Sequence, residues 1–128
     1  MSLDDTSKID MVLGPTRDAK LTLAIIDGVP HTDEEARFNK LLEKIRVYVA
    51  YFFSPQFAKE HPGIKPSDAV ICLLSYDPPN EVMMQMGTVR PHGDTDPGHQ
   101  IRFKCFQYRP GGKMPLPEYF SPPGAKGN

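Results

Sequence analysis

The chain has little of what would place it in most functional classes at once. Its 128 residues carry 15 basic and 16 acidic side chains, a formal net charge of −1. No global field therefore draws it to DNA, RNA or an anionic membrane. The longest unbroken apolar run, "VYVAYFF" from Val47 to Phe53, falls far short of the ~20 residues needed to span a bilayer. The start, "MSLDDTSKID", is acidic and has no hydrophobic signal region, so the expected location is the cytoplasm. Only two cysteines occur. Cys72 and Cys105 each sit in an apolar, strand-like run, where a small buried thiol is the expected state and no disulfide is implied. There is no G-x-S-x-G elbow, no Walker A loop and no C-x-x-C, so the common signatures of hydrolysis, nucleotide binding and dithiol chemistry are missing. Internal repeats are also absent.

What is present is a patterned core. In "KIDMVL", Ile9, Met11 and Leu13 alternate. In "LTLAIID", Leu21, Leu23 and Ile25 face one way while Thr22, Ala24 and Ile26 face the other. With "GPTRDAK" between them, the pair predicts a hairpin. Thr32 and Glu35 have the spacing of a capping box, and Asp33, Glu34 and Glu35 place negative charge in the first turn of a helix. From there Phe38, Leu41, Leu42, Ile45, Tyr48, Val49, Phe52 and Phe53 recur at helical spacing in a stripe about 140° wide. The helix is expected to end near Ser54-Pro55, and Arg37, Lys40, Glu43 and Lys44 are read as its solvated face. "AVICLLSY" is apolar at six successive positions from Ala69, the pattern of a central strand covered on both faces. "EVMMQMGTV", Glu81 to Val89, fits a strand or a short helix capped by Asn80. "QIRFKCFQY" is a strand with Ile101, Phe103 and Cys105 on a core side and Arg102 and Lys104 on a basic side.

The predicted class is α+β. The order β-β-α-β-(α or β)-β makes a mostly antiparallel sheet of about four to five strands, with one long amphipathic helix on one face. Residues 1–109 form a single domain. Residues 110–128 hold five prolines and four glycines and form an extended C-terminal arm.

This run of features resembles a family of small bacterial cytoplasmic domains with no assigned function. The likeness rests on "LDDTSKID", the hairpin ending "LAIID", the segment "LLEKIRVYVAYFFSPQF" with its Glu43-Lys44 pair before an aromatic-rich helix end, and "VICLLSYDPP". It covers residues 2–79 and extends toward the strand at 100–108. Members often carry a tryptophan just before the helix, and this chain has none. The tail from Pro110 onward has no counterpart. The resemblance implies the fold and the cellular setting, and it carries over no catalytic residue.

One stretch looks chemical. "VRPHGDTDPGHQ" packs His92, Asp94, Asp96 and His99 into a short loop. These are zinc- or iron-ligand types, yet Asp, Gly and Pro are equally the residues of turns. The expected role is a polar connection; the alternative is a metal-dependent or hydrolytic enzyme built on this loop. A thiol nucleophile, Cys72 or Cys105 with His92 or His99, is weaker still. Asp10 and Asp27, near strand ends, are read as capping or turn residues. Val47 and Tyr51 put apolar surface outside the core stripe, and Met114, Leu116, Tyr119 and Phe120 put more on the arm. That surplus predicts packing of Leu116, Tyr119 and Phe120 across Val47 and Tyr51, within one subunit or between two. The function read from the sequence is a non-enzymatic protein-binding or self-assembly module, with no cofactor. Its partner is a second copy in a homodimer or another bacterial protein. Nucleic-acid binding through Arg102 and Lys104, enlarged by Arg90, Arg109 and Lys113, is disfavoured by the total charge.

Overall fold

A computed structural model describes residues 9–15, 19–28 and 31–107. The expected α+β class holds. Five strands form one sheet: β1 (Met11–Leu13), β2 (Leu21–Asp27), β3 (Ala69–Ser75), β4 (Thr88–Val89) and β5 (Ile101–Gln107). The long helix is α1 (Glu34–Phe52), followed by the short helices α2 (Pro55–Glu60) and α3 (Glu81–Met84). The spatial order is β1-β2-β3-β5-β4.

The hairpin is as expected, with Met11 opposite Ala24 and Leu13 opposite Thr22 in antiparallel register. The sheet as a whole is mixed. β4 is antiparallel to β5, but the three long strands β2, β3 and β5 run parallel to one another. The antiparallel pairings expected to dominate are confined to the two edges. The cause is connectivity: a helix crossover returns the chain to the starting end of the sheet, so the strands it joins must be parallel. α1 and α2 make that crossover between β2 and β3.

β3 is central, as its unbroken apolar run predicted, and all seven of its residues are buried. On one sheet face Leu21, Leu23 and Ile25 meet Ile71 and Leu73, and α1 covers them with Leu41, Ile45, Tyr48, Val49 and Phe52. On the other face Ala24, Val70, Cys72 and Leu74 form a second buried cluster. Arg102 and Lys104 share that second face and are half-buried rather than fully wet.

Local chemistry sets the element ends. The cap of α1 is Asp33, one residue later than the capping box predicted, because its carboxylate accepts from the Ala36 amide at 3.1 Å. Ser54 then caps α2, with Pro55 in the first turn, where its missing N–H costs nothing. The ambiguous stretch resolves into both readings in sequence. Asn80 caps the single turn of α3, accepting from Met83 N at 2.9 Å. Gly87, at φ 66°, then takes the left-handed conformation that turns the chain into β4.

The larger correction concerns charge. Arg37 and Lys44 do not lie on a solvated face; they are 1% and 0% exposed. They follow Leu41 and Tyr48 along one line of the helix at spacings of four, three and four. Each is held by an ordered polar network, and the two networks tie the first turn and the middle of α1 to the sheet. Among the described residues, no helix is long and apolar enough to cross a membrane.

Candidate functional site

α1 is wider in apolar surface than the sheet beneath it can cover. Its shoulder formed by Ile45, Val49, Ala50 and Phe53 looks instead toward the segment that leads out of β4. There Arg90, Pro91 and His92 form the opposite wall of a cleft of about 290 Å³. A second lobe of about 220 Å³ continues it between Leu42 and Met86, sharing Ile45, Arg46, Arg90 and His92. Two devices hold the far wall. The amide of Phe103 bonds the carbonyl of Gly87 at 2.9 Å, which continues the β4–β5 edge. A turn closed by Asp94 N to Pro91 O at 3.0 Å, with Gly93 at φ 78°, projects His92.

The floor of the cleft is apolar and its rim is basic. Arg46, Arg90 and His92 line it, and among the described residues no carboxylate does. Arg46 pairs with no acidic side chain among the described residues. Phe53 is 40% exposed at the mouth. An apolar hollow edged by two guanidinium groups, of which Arg90 also acts on the Asp94 carboxylate, suits an apolar group that carries negative charge.

The histidine loop divides at this point. His92 belongs to the cleft. Asp94, Asp96 and His99 form a separate cluster, with His99 Nδ1 2.7 Å from Asp94 Oδ2 and Nε2 3.6 Å from Asp96 Oδ2. The backbone uses the remaining carboxylate oxygens: Asp94 Oδ1 accepts from Asp96 N at 2.7 Å, and Asp96 Oδ1 from Gly98 N at 2.8 Å. Among the described residues, no group of three or more histidine, cysteine, aspartate or glutamate side chains stands where it could hold a metal ion. What the cluster does is fix the loop against α1, since the His99 ring meets Phe53 edge-on at 5.3 Å.

The bond to Asp94 raises the pKa of His99, and the same bond, followed by the Asp96 amide, holds the Asp94 carboxyl below its ordinary value. The sign of the pH dependence follows. The raised His99 contributes stability that is complete below its unfolded value of 6.5 and is lost as pH rises through the folded one. The lowered Asp94 contributes stability present above 3.8 and lost in stronger acid. The melting-temperature gap between the native chain and His99→Ala is therefore expected to be widest between pH 3.8 and 6.5 and to narrow at alkaline pH. A gap that stays constant when thermal denaturation is followed from that range into alkaline pH rules out the ion pair as its source.

The cysteines offer no nucleophile. Burial pushes the Cys72 thiol up to about 12 and the Cys105 thiol up to about 11. Cys105 Sγ donates to the carbonyl of Met83 at 3.5 Å, and both thiols are free.

Two polar networks escaped the sequence reading. At the carboxyl ends of β2 and β3, Arg37 bonds Ser75 Oγ at 2.7 Å and the carbonyls of Asp77 and Pro78 at 3.1 Å each. Nearby, His31 Nε2 lies 2.6 Å from Asp27 Oδ2. At the open edge, Lys44 Nζ bonds Asp10 Oδ1 at 2.9 Å, and Asp10 Oδ2 accepts from Ile26 N at 2.9 Å. Asp10, read as a capping or turn residue, instead forms a buried ion pair and accepts from a strand amide sixteen positions away. The signal for both networks was the spacing of Arg37 and Lys44 with Leu41 and Tyr48, which sets them along the edge of the core stripe.

Of the residues proposed for an interface, Val47 is half-buried. Tyr51 is half-buried too, packing edge-on against Phe57 at 5.3 Å and donating to Glu60 Oε1 at 2.8 Å. Much of its surface is thus spent on α2. Leu116, Tyr119 and Phe120 lie outside the described residues.

The model of a family described as a "Family of unknown function (DUF6572)" matches residues 1–94. No curated protein and no solved structure matches the chain.

Proposed function

We propose that this chain, which belongs to that family of unknown function, is a non-enzymatic protein-interaction module that works through the cleft between α1 and residues 86–92. The observation that carries the reading is the pairing of an apolar floor with the unpartnered Arg46 and the neighbouring Arg90 and His92. Its two lobes, of about 290 and 220 Å³, are open to solvent and do not form an enclosed chamber. Such a hollow encloses one or two side chains of a docked segment better than it encloses a whole metabolite. The occupant is an apolar, acidic stretch of protein.

The enzyme reading, metal-dependent or hydrolytic through the His92–His99 loop, has less support. Asp94 and Asp96 spend their oxygens on the loop's own amides and on His99, and His92 faces the cleft instead of joining them. Nucleic acid is a poorer partner still, since a net charge of −1 supplies no long-range attraction.

The test uses 8-anilinonaphthalene-1-sulfonate, a small apolar anion, on the ¹⁵N-labelled chain. Shifts are expected to cluster at Arg46, Ala50, Phe53, Arg90 and His92. Ala50→Trp, which fills the cleft from an exposed helix position, and Arg46→Glu, which reverses its rim, should each weaken binding about tenfold, a loss of about 1.4 kcal/mol. Shifts dispersed over the surface, or affinity untouched by both substitutions, would falsify the cleft as a binding site.

A further inference from the structure

α3 presents what the cleft lacks. Val82 is 55% exposed and Met84 is 67% exposed, the two most exposed large apolar side chains among the described residues. Exposed Glu81 begins the same turn. Single exposed apolar residues are ordinary, but Met84 lies three positions from Glu81, so the two share one face of the fixed turn and set an apolar side chain beside a carboxylate, while Val82 projects from the other flank. The turn is fixed from below. Met83 is buried in the main core, Asn80 caps the turn, and Asn80 Nδ2 donates to Glu34 Oε1 at 3.1 Å. A pre-ordered turn loses little entropy when it docks.

The turn also sits beside the cleft in the chain, because Met86, two residues beyond α3, lines the second lobe. Within one subunit α3 is a wall-side neighbour and leaves the hollow open. Between two subunits the arrangement is self-complementary: apolar Met84 against an apolar floor, and Glu81, on the same face of the turn, against Arg46 and Arg90. A patch and its complement side by side are what a two-fold interface requires, since each contact is then made twice. Resting on the binding reading above, we propose that the occupant of the cleft is a second copy of this chain: α3 of one protomer docks between α1 and residues 86–92 of its partner, and the reverse.

Sedimentation velocity on the full chain over three decades of concentration tests this. A monomer–dimer equilibrium is expected. Met84→Asp and Arg46→Glu should each raise the dimer dissociation constant at least tenfold, while Glu81→Arg combined with Arg46→Glu restores dimerisation by exchanging the two charges. Met84→Asp leaves the cleft intact, so at high protein concentration it should bind anilinonaphthalene sulfonate better than the native chain does. A native chain that stays monomeric while the probe still maps to the cleft overturns the second-copy occupant and leaves the binding reading standing, with a different acidic protein as partner. A dimer indifferent to both single substitutions forms through another face and overturns the proposal as well. Failure of the probe to find the cleft removes the binding reading itself.

Discussion

Arg37→Ala is expected to lower the free energy of unfolding by about 3–5 kcal/mol, from lost hydrogen bonds to a charged donor and the void left behind. Arg37 stands in the first turns of α1 and reaches over the end of β3, 1% exposed. Its NH1 donates to Glu34 Oε1 at 3.1 Å and to the carbonyl of Pro78 at 3.1 Å. Its NH2 donates to Ser75 Oγ at 2.7 Å and to the carbonyl of Asp77 at 3.1 Å. Only one of these partners is a carboxylate, and that glutamate side chain is 54% exposed, so the ion pair itself contributes little. The larger contribution is dipolar. The guanidinium fork supplies donors to two carbonyls and a hydroxyl in the sharp exit from β3, reinforcing a turn in which the Ser75 hydroxyl also donates to the Asp77 carbonyl at 2.6 Å. Alanine removes the donors and leaves a side-chain-sized void. Arg37→Lys keeps the charge, but a point cation cannot reach that fan of acceptors at once, so about 2 kcal/mol of loss is expected. Urea denaturation reads both values from the midpoint at constant slope. A lysine variant as stable as the native chain shows that charge alone, and not the fork, holds the turn. Because Asn80 and α3 follow this turn directly, the alanine variant should also weaken the proposed dimer.

Arg37 also marks where the sequence could and could not be read. The period-two runs in β2 and β5, the apolar block of β3 and the helical spacing of α1 each express one local rule, and each element forms where its rule places it. The hairpin needed only neighbours in sequence. Parallel pairing of β2, β3 and β5 followed from connectivity rather than from any residue, so an antiparallel expectation drawn from residue patterns missed it. Arg37 and Lys44 were read by charge, as if a basic side chain on a helix must meet water. Their angular position, in line with Leu41 and Tyr48, says otherwise, and a cation with ordered acceptors can follow its position into the core. At Asp33 two caps competed at adjacent sites, and the residue whose carboxylate reaches Ala36 N took the role. The cleft needs α1 and residues 86–92 together, some 40 positions apart, and no local pattern encodes that meeting. The apolar surplus was sensed, but on the shoulder of α1 that carries Val47 and Tyr51. The hollow opens on the other shoulder, at Arg46, Ala50 and Phe53. His92 was singled out for its imidazole, and the structure places it on the wall of the cleft, apart from Asp94, Asp96 and His99.

The second large effect belongs to the other buried cation. Lys44 and Asp10, whose side chains are 0% and 4% exposed, form the ion pair that fastens α1 to the edge of the sheet. That edge needs fastening, because β1 is only three residues long and pairs through few backbone bonds. Asp10 accepts from Lys44 Nζ and from the amide of Ile26, and its own amide donates to Tyr48 Oη at 2.7 Å. Tyr48 in turn donates to the carbonyl of Ala24 at 2.6 Å, and burial pushes its phenol well above the ordinary value, so it remains a donor throughout the physiological range. Lys44→Met leaves the Asp10 carboxylate buried with its cation gone, and a loss of about 3–5 kcal/mol is expected. Asp10→Asn keeps an acceptor for Ile26 but strips Lys44 of this anion, and should cost somewhat less. The informative variant carries both substitutions. With neither charge left to desolvate, the double variant should be less destabilised than the sum of the singles by about 2 kcal/mol, since groups sharing one network are non-additive. Strict additivity in a urea double-mutant cycle would mean that the two charges are satisfied independently, and that the tie between α1 and β1 lies in the Tyr48 bonds alone. Exchange of the Ile26 amide separates the cases: faster in Lys44→Met if the pair positions the carboxylate, unchanged if Tyr48 suffices.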